Sequence, residues 1–216
     1  MNQKNLTFQK EAWQDIWKRR GILTSVVDSG RTIYNWFFRR YLRKYTRPHK
    51  RLLEVGCGTS TLTLSLAPEI AALVGIDNAE SALELSRSHA QRLGVTNSTF
   101  EIEDCLALPY ENEFDMVWSQ GLLEHFDDPV AVAAQHFKAT KAGGIALISI
   151  PYRYSYHAVW YLVTRPRFLR FLWPWTEQIF YTKKQLLEIG KKITPHARTH
   201  FLQPFPLGII ILELPK

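Results

Sequence analysis

From about residue 51 onward, short apolar runs alternate with amphipathic stretches, the pattern of strands joined by helices. Arg51–Val55, Ala72–Ile76, Ser98–Glu103, Phe114–Ser119 and Gly144–Ile150 predict five strands, the last bounded by Gly143-Gly144 and Pro151. Ser60–Ala67, Ala79–Leu93 and Pro129–Lys141 predict helices between them. The first opens on Thr/Ser caps and closes before Pro68. The second carries Leu83, Leu85, Ala90 and Leu93 and ends at Gly94, and the third has proline in its first turn. Repeated strand, crossover helix, strand units in one sheet imply parallel strands, right-handed crossovers and a ligand crevice at the strands' carboxyl ends.

The flanks read differently. Arg31–Arg47 predicts a helix with Ile33, Trp36, Phe37 and Tyr41 on one face, packed beside the sheet. Tyr152–Tyr181 holds 11 of the chain's 28 aromatic residues. A helix follows near Thr182–Ile193, and Ala197–Leu202 with Leu207–Leu214 predicts an antiparallel strand pair around Pro204 and Pro206. The expected organisation is a basic, aromatic helical cap over residues 1–50, an α/β core over 51–151, an aromatic and basic lid over 152–181, and a closing helix and strand pair over 182–216.

Charge sharpens this division. The net charge of +7 over 216 residues hides an acidic middle between basic flanks. Residues 1–51 carry 13 basic against 3 acidic groups, residues 52–150 carry 4 against 14, and residues 151–216 carry 10 against 3. With 46% apolar and 22% charged residues, the chain fits neither a disordered nor a disulfide-stapled class. Cys57 and Cys105 are its only cysteines, and neither sits at zinc-ligand spacing. No apolar run reaches bilayer-spanning length and no signal-peptide stretch opens the chain, so a cytoplasmic location is expected, with peripheral membrane contact as a variant of it.

The chemistry gathers at Leu52-Leu53-Glu54-Val55-Gly56-Cys57-Gly58-Thr59-Ser60. An acid ends a strand, and two glycines turn the backbone into a helix whose first N–H groups face polar ligand atoms. Asp77 ends the next strand 19 positions after Gly58, where a carboxylate accepts hydrogen bonds from a ribose diol. Together these read as a nucleoside site. A nicotinamide dinucleotide fits less well, because it asks for a third glycine near position 61, where Thr61 stands, and has no need of Glu54.

These residues resemble the class I S-adenosylmethionine-dependent methyltransferases, in particular the small-molecule group that includes ubiquinone-biosynthesis enzymes. Glu54–Ser60 is similar to the family's acid-x-Gly-x-Gly-x-Gly loop around the methionine part of the cofactor, with Ser60 in place of the third glycine. Asp77, with Asn78 beside it, matches the acid that holds the ribose hydroxyls. Glu103–Tyr110 resembles the segment after the third strand, which places Asp104 and the Cys105 backbone against adenine. Phe114–Phe126 resembles the fourth strand and its active-site turn, with Ser119 and Gln120 on the cofactor side, and Lys141-Ala142-Gly143-Gly144 precedes the fifth strand. The resemblance implies a Rossmann-like, doubly wound, seven-stranded and mostly parallel sheet whose last strand is antiparallel. It also implies methyl transfer from S-adenosyl-L-methionine by in-line displacement.

In such chemistry the sulfonium carries the reactivity and orientation dominates. His125 is the candidate general base, with a structural role at its turn as the alternative. Some relatives bind a metal through Glu-x-x-Glu-His. Here Gly121 replaces the first Glu and leaves Glu124 and His125, so no metal is expected, although Asp127 or Asp128 offers a substitute ligand. Cys57 and Cys105 lie outside any Pro-Cys or Thr-Cys nucleophile motif, and packing is their expected role. Tyr152, Arg153, Tyr156, Trp160 and Trp173 are the named lid residues for an apolar, lipid-like or anionic acceptor. A non-catalytic methyltransferase-like binder is the second reading. An RNA methyltransferase is the third, disfavoured because the Asn/Asp-Pro-Pro-Tyr/Phe signature is absent.

Overall fold

The structure is a computed structural model and describes residues 13–14, 35–166, 168, 177–203 and 208–216. Seven strands form one sheet: β1 (Arg51–Val55), β2 (Ala72–Asp77), β3 (Ser98–Ile102), β4 (Phe114–Gln120), β5 (Thr140–Pro151), β6 (Arg198–Gln203) and β7 (Ile209–Pro215). Their order is β3-β2-β1-β4-β5-β7-β6. β1 to β5 pair in parallel, and β7 runs antiparallel to both β5 and β6. The tail strands were expected as a pair. The last of them inserts beside β5, matching Ile145 to Pro215 through Pro151 to Ile209, and pushes β6 to the edge.

The described helices are α1 (residues 35–42), α2 (Thr61–Leu64), α3 (Glu80–Leu93), α4 (Pro129–Ala139), α5 (Tyr156–Thr164) and α6 (Lys183–Lys191). Strand residues alternate between two apolar faces, as a sheet covered on both sides requires. Leu52, Leu73, Met116, Trp118, Leu147 and Ile211 meet Phe38 and Leu42 of α1, Leu62 and Leu64 of α2 and Leu83 of α3. Leu53, Val74, Val117, Ile148 and Leu212 meet Ala133 of α4 and Leu186 and Ile189 of α6. Each such fully buried Leu or Ile contributes about 1.5–3 kcal/mol of transfer free energy.

Two expected boundaries shift for local reasons. The helix expected over Ser60–Ala67 is regular only over Thr61–Leu64, followed by a short 3₁₀ turn at Ala67–Glu69. Its hydroxyls compete with helix propagation: Thr63 Oγ1 donates to Glu54 and Ser65 Oγ to the Leu62 carbonyl at 2.6 Å. The helix expected to reach Lys141 ends at Ala139. Thr140 Oγ1 turns back to the His136 carbonyl at 2.8 Å, and Thr140 pairs with Phe114 as β5 begins.

Chain reversal between β1 and β4 leaves the crevice. β2 and β3 extend to one side of β1 and β5 to the far side of β4, so the loops after β1 and β4 part at their carboxyl ends. Against the same sheet, Gly190 of α6 lets the helix approach closely: a Cβ there would stand 2.5 Å from Leu212 Cδ1 and 2.9 Å from Ala197 Cβ. In an open helix Gly→Ala is stabilising, but here overpacking reverses the sign. Gly190→Ala is expected to lower the urea unfolding free energy by roughly 1–3 kcal/mol, and an unchanged or raised midpoint would show that α6 shifts without cost.

Candidate functional site

The chain leaves β1 at Val55 and turns through Gly56 and Gly58, both in the left-handed region with φ of 66° and 54°. Gly56 also meets the β4 turn, since a Cβ on it would lie 2.8 Å from Leu122 Cδ1. The left-handed conformation disfavours a side chain there, and one would also displace Leu122. Ser60, at the place of the third glycine, is left-handed too, with φ 47°, and makes no side-chain hydrogen bond to α2. The expected side-chain cap is therefore corrected. A capping hydroxyl needs extended backbone to reach the second or third N–H, and the left-handed turn turns it away.

Both acids hold this loop. Glu54 is buried and accepts from Thr63 Oγ1 at 2.5 Å, joining the end of β1 to α2. Asp77 Oδ2 accepts from the Gly58 N–H at 2.9 Å and Oδ1 from the Ala79 N–H at 3.0 Å. Burial pushes the Asp77 carboxyl above its ordinary value, while backbone N–H groups of Gly58, Ala79 and Asn78 pull it back. Each oxygen keeps a second lone-pair direction for a further donor. α3 completes the support: Ser86 Oγ donates to the Gly58 carbonyl at 2.8 Å, and His89 Nδ1 lies 3.1 Å from the Thr59 carbonyl. The sequence reading missed Ser86. Its signal was a small hydroxyl on the buried stripe between Leu83 and Ala90.

On the next loop Asp104 is exposed, and its Oδ1 accepts from the Leu106 N–H at 2.9 Å, which shapes the turn that presents Cys105. Burial pushes the Cys105 thiol up to about 12 and raises the buried Cys57 thiol as well, aided by nearby carboxylates, so both stay protonated. At the end of β4, Ser119 is buried with no partner for its Oγ among the described residues, and Gln120 is half-buried beside it. The Gly121 N–H donates to the Ser149 carbonyl, and its φ of 67° reverses the chain into a 3₁₀ turn, Leu123–His125.

That turn is clasped to the segment before α6. The Ile179 N–H donates to the Glu124 carbonyl at 2.8 Å, and His125 Nδ1 lies 2.9 Å from the Glu177 carbonyl, so Nδ1 carries the proton and Nε2 is the accepting nitrogen. Burial holds the imidazole neutral, with its pKa lowered to about 4. Trp13 meets the His125 ring edge to face at 5.1 Å and packs against Ala79 and Ala82, touching both banks of the crevice. Trp13 was not anticipated, because its partners lie 66 or more positions away in the chain.

Glu54, Gly56, Cys57, Gly58, Ser60, Asp77, Asn78, Asp104, Cys105, Ser119 and Gln120 thus come from the carboxyl ends of the four neighbouring strands β1 to β4, with His125 beyond β4. The expected lid residues are more scattered. Tyr152 is half-buried, bridges to Tyr181 and packs on Phe201, whereas Arg153, Tyr156 and Trp160 are exposed. Trp173 lies outside the described residues.

A doubly wound seven-stranded sheet with an antiparallel last strand and a glycine turn between two acids defines the class I S-adenosylmethionine-dependent methyltransferase architecture. A family model described as a methyltransferase domain matches residues 46–185, and the chain belongs to that family. It is similar to the ubiquinone biosynthesis O-methyltransferase of Neisseria meningitidis serogroup A, 39% identical over 104 residues that cover 46% of this chain and 43% of that protein. The protein of the same name from Pseudomonas fluorescens is 30% identical over 134 residues, covering 62% and 56%. The chain therefore spans about half the length of the curated relatives it matches. In fold it is similar to magnesium protoporphyrin IX methyltransferase from Synechocystis PCC 6803 with bound SAH, with a TM-score of 0.69, 18% identity and coverage of 94% and 92%.

The cofactor of this class is S-adenosylmethionine, and the residues present fit it. Gly56 and Gly58 take the left-handed turn into α2, Asp77 keeps acceptor capacity at the end of β2, and Ser119 holds a buried hydroxyl without a partner among the described residues.

Glu124 gives this site a pH signature. Its carboxyl is buried, Oε2 has no partner among the described residues, and desolvation pushes its pKa up to about 8. Below about 4.5 the carboxyl is protonated folded and unfolded; between about 4.5 and about 8 only the unfolded chain ionises, so stability falls as pH rises. Glu124→Gln is expected to remove that slope. Wild-type and variant stabilities should meet near the lower value and part by a few kcal/mol at the upper one, the variant being the more stable. Parallel curves from urea titrations would show that Glu124 is ionised in the fold.

Proposed function

We propose that this protein transfers a methyl group from S-adenosylmethionine to a small acceptor, lipid-like or anionic, by direct in-line displacement. The observation that carries the reading is the bracing of the Gly56 and Gly58 turn by Asp77 at the end of β2, which joins two family landmarks by a direct hydrogen bond at neighbouring strand ends. The bound cofactor supplies an electrophilic methyl on a positive sulfur; the protein supplies orientation.

In this reading Asp77, with Asn78 beside it, accepts from the ribose hydroxyls through the lone pairs left over from Gly58 and Ala79. Asp104 and the Cys105 backbone hold the adenine. Glu54, Gly56, Cys57, Gly58 and Ser60 surround the amino-acid end, and Ser119 and Gln120 face it from β4. His125 takes the acceptor's proton on Nε2. Its low pKa makes it a weak but uncharged base, and its contribution is correspondingly modest. Similarity to O-methyltransferases supports oxygen as the acceptor atom, and the basic segment after β5, with Tyr152 and Arg153 at its start, supports an anionic or amphiphilic acceptor.

Two measurements test the reading. S-adenosylhomocysteine is expected to raise the melting temperature of the wild type and to bind Asp77→Ala at least about tenfold more weakly; no shift in the wild type would favour a scaffold without cofactor. With methyl-labelled cofactor and a cell extract, label should enter the lipid or small-molecule fraction, and label in RNA alone would reverse the substrate assignment. His125→Ala is expected to lower turnover about tenfold to a hundredfold, whereas unchanged turnover would leave His125 as the clasp on Glu177.

A further inference from the structure

α5 follows β5 directly and turns its apolar side outward. Its sequence, Tyr-His-Ala-Val-Trp-Tyr-Leu-Val-Thr, contains no charged group. Ala158 and Thr164 are buried and fix the helix to the body, with Ser155 capping it through the Ala158 N–H. The opposite face carries Tyr156, Val159, Trp160 and Val163, spaced i, i+3, i+4 and i+7, with Leu162 beside them; all five are exposed, at 44% to 62%. A continuous exposed stripe of this kind marks a docking surface, whereas single exposed apolar residues need no explanation.

The charge around the stripe identifies what it meets. Arg153 and Arg165 are exposed just before and just after α5, and residues 151–176 contain four arginines and no acidic residue. A protein partner's groove would equally accept the apolar face, but arginines at both ends without a balancing acid match an anionic sheet of charge. Tyr and Trp on the stripe suit a boundary between hydrocarbon and water. No helix among the described residues is long and apolar enough to cross a bilayer, and α5, about 14 Å long at 1.5 Å per residue, has the dimensions of a helix lying in the surface.

We propose that α5 docks the protein onto an anionic lipid bilayer, with Tyr156, Val159, Trp160, Leu162 and Val163 entering the headgroup boundary and Arg153 and Arg165 pairing with lipid phosphates. This goes beyond methyl transfer and stands independently of it. α5 starts just after the carboxyl end of β5, where Tyr152 pairs with Tyr181 at the close of the lid segment, so docking brings membrane-borne amphiphiles to the same end of the sheet as the crevice.

The test is flotation of the whole chain with phosphatidylcholine vesicles, with and without phosphatidylglycerol. Wild type is expected to float with the anionic vesicles and less so at raised salt. Val159→Glu with Val163→Glu, and separately Arg165→Glu, are each expected to weaken flotation at least about tenfold. All three positions are exposed, so melting curves and the response to S-adenosylhomocysteine should match the wild type and separate this result from any failure of the cofactor reading. Absence of flotation at low salt, or variants that float like the wild type, would overturn the proposal. So would a wild-type dimer in sedimentation that Val163→Glu dissociates while vesicles stay bare, because a second copy would then be what covers the stripe.

Discussion

One carboxylate joins the two turns on which the crevice depends. Asp77 accepts from Gly58 on the loop after β1 and from Ala79 at the entrance to α3, so the glycine turn and the helix entry share an anchor at the end of β2. Two backbone donors offset part of the cost of burying the charge. Around this anchor Ser86 and His89 of α3 grip the same loop by its carbonyls, and Leu122 fills the space that Gly56 vacates. The loop is thus held from three sides before any ligand arrives, which is what preorganisation requires of a site that acts by orientation.

The crevice and the flanking segments differ in charge. Burial keeps Cys57, Cys105 and His125 in their neutral forms and holds Glu124 mostly protonated near pH 7. The acids that remain, Glu54 and Asp77, are bound to Thr63 and to backbone N–H groups. The basic excess lies in the segments flanking the core. Buried carboxylates with fixed partners thus hold the loop after β1, whereas exposed basic groups such as Arg153 and Arg165 lie where screening by salt acts strongly.

The turn after β4 connects these two regions. Glu124 and His125 each bond the 177–179 segment, so the end of the aromatic stretch is tied to the turn after β4. Trp13 closes the same place from the other end of the chain. Segments far apart in sequence, before and after the core, thus converge on one 3₁₀ turn of three residues.

Strand and helix positions in the core were legible in the sequence because each element declares itself locally. β1 to β5 are short apolar runs bounded by Gly, Pro or polar clusters, and Gly56, Gly58 and Asp77 stand at their ends, where chain geometry alone puts them in one crevice. The helix after Gly58 was overestimated because its hydroxyls bond backbone carbonyls of the same turn and, through Thr63, the Glu54 carboxylate, which no propensity registers. Only the tertiary structure placed β7 between β5 and β6, since an antiparallel pair looks the same locally whichever member pairs with the core. Tertiary packing likewise decided that His125 leans on Glu177, that Trp13 spans the crevice and that the apolar stripe of α5 faces outward. Periodicity reveals that a helix has an apolar side but not what that side meets, because burial is settled by contacts that the chain makes across long sequence separations.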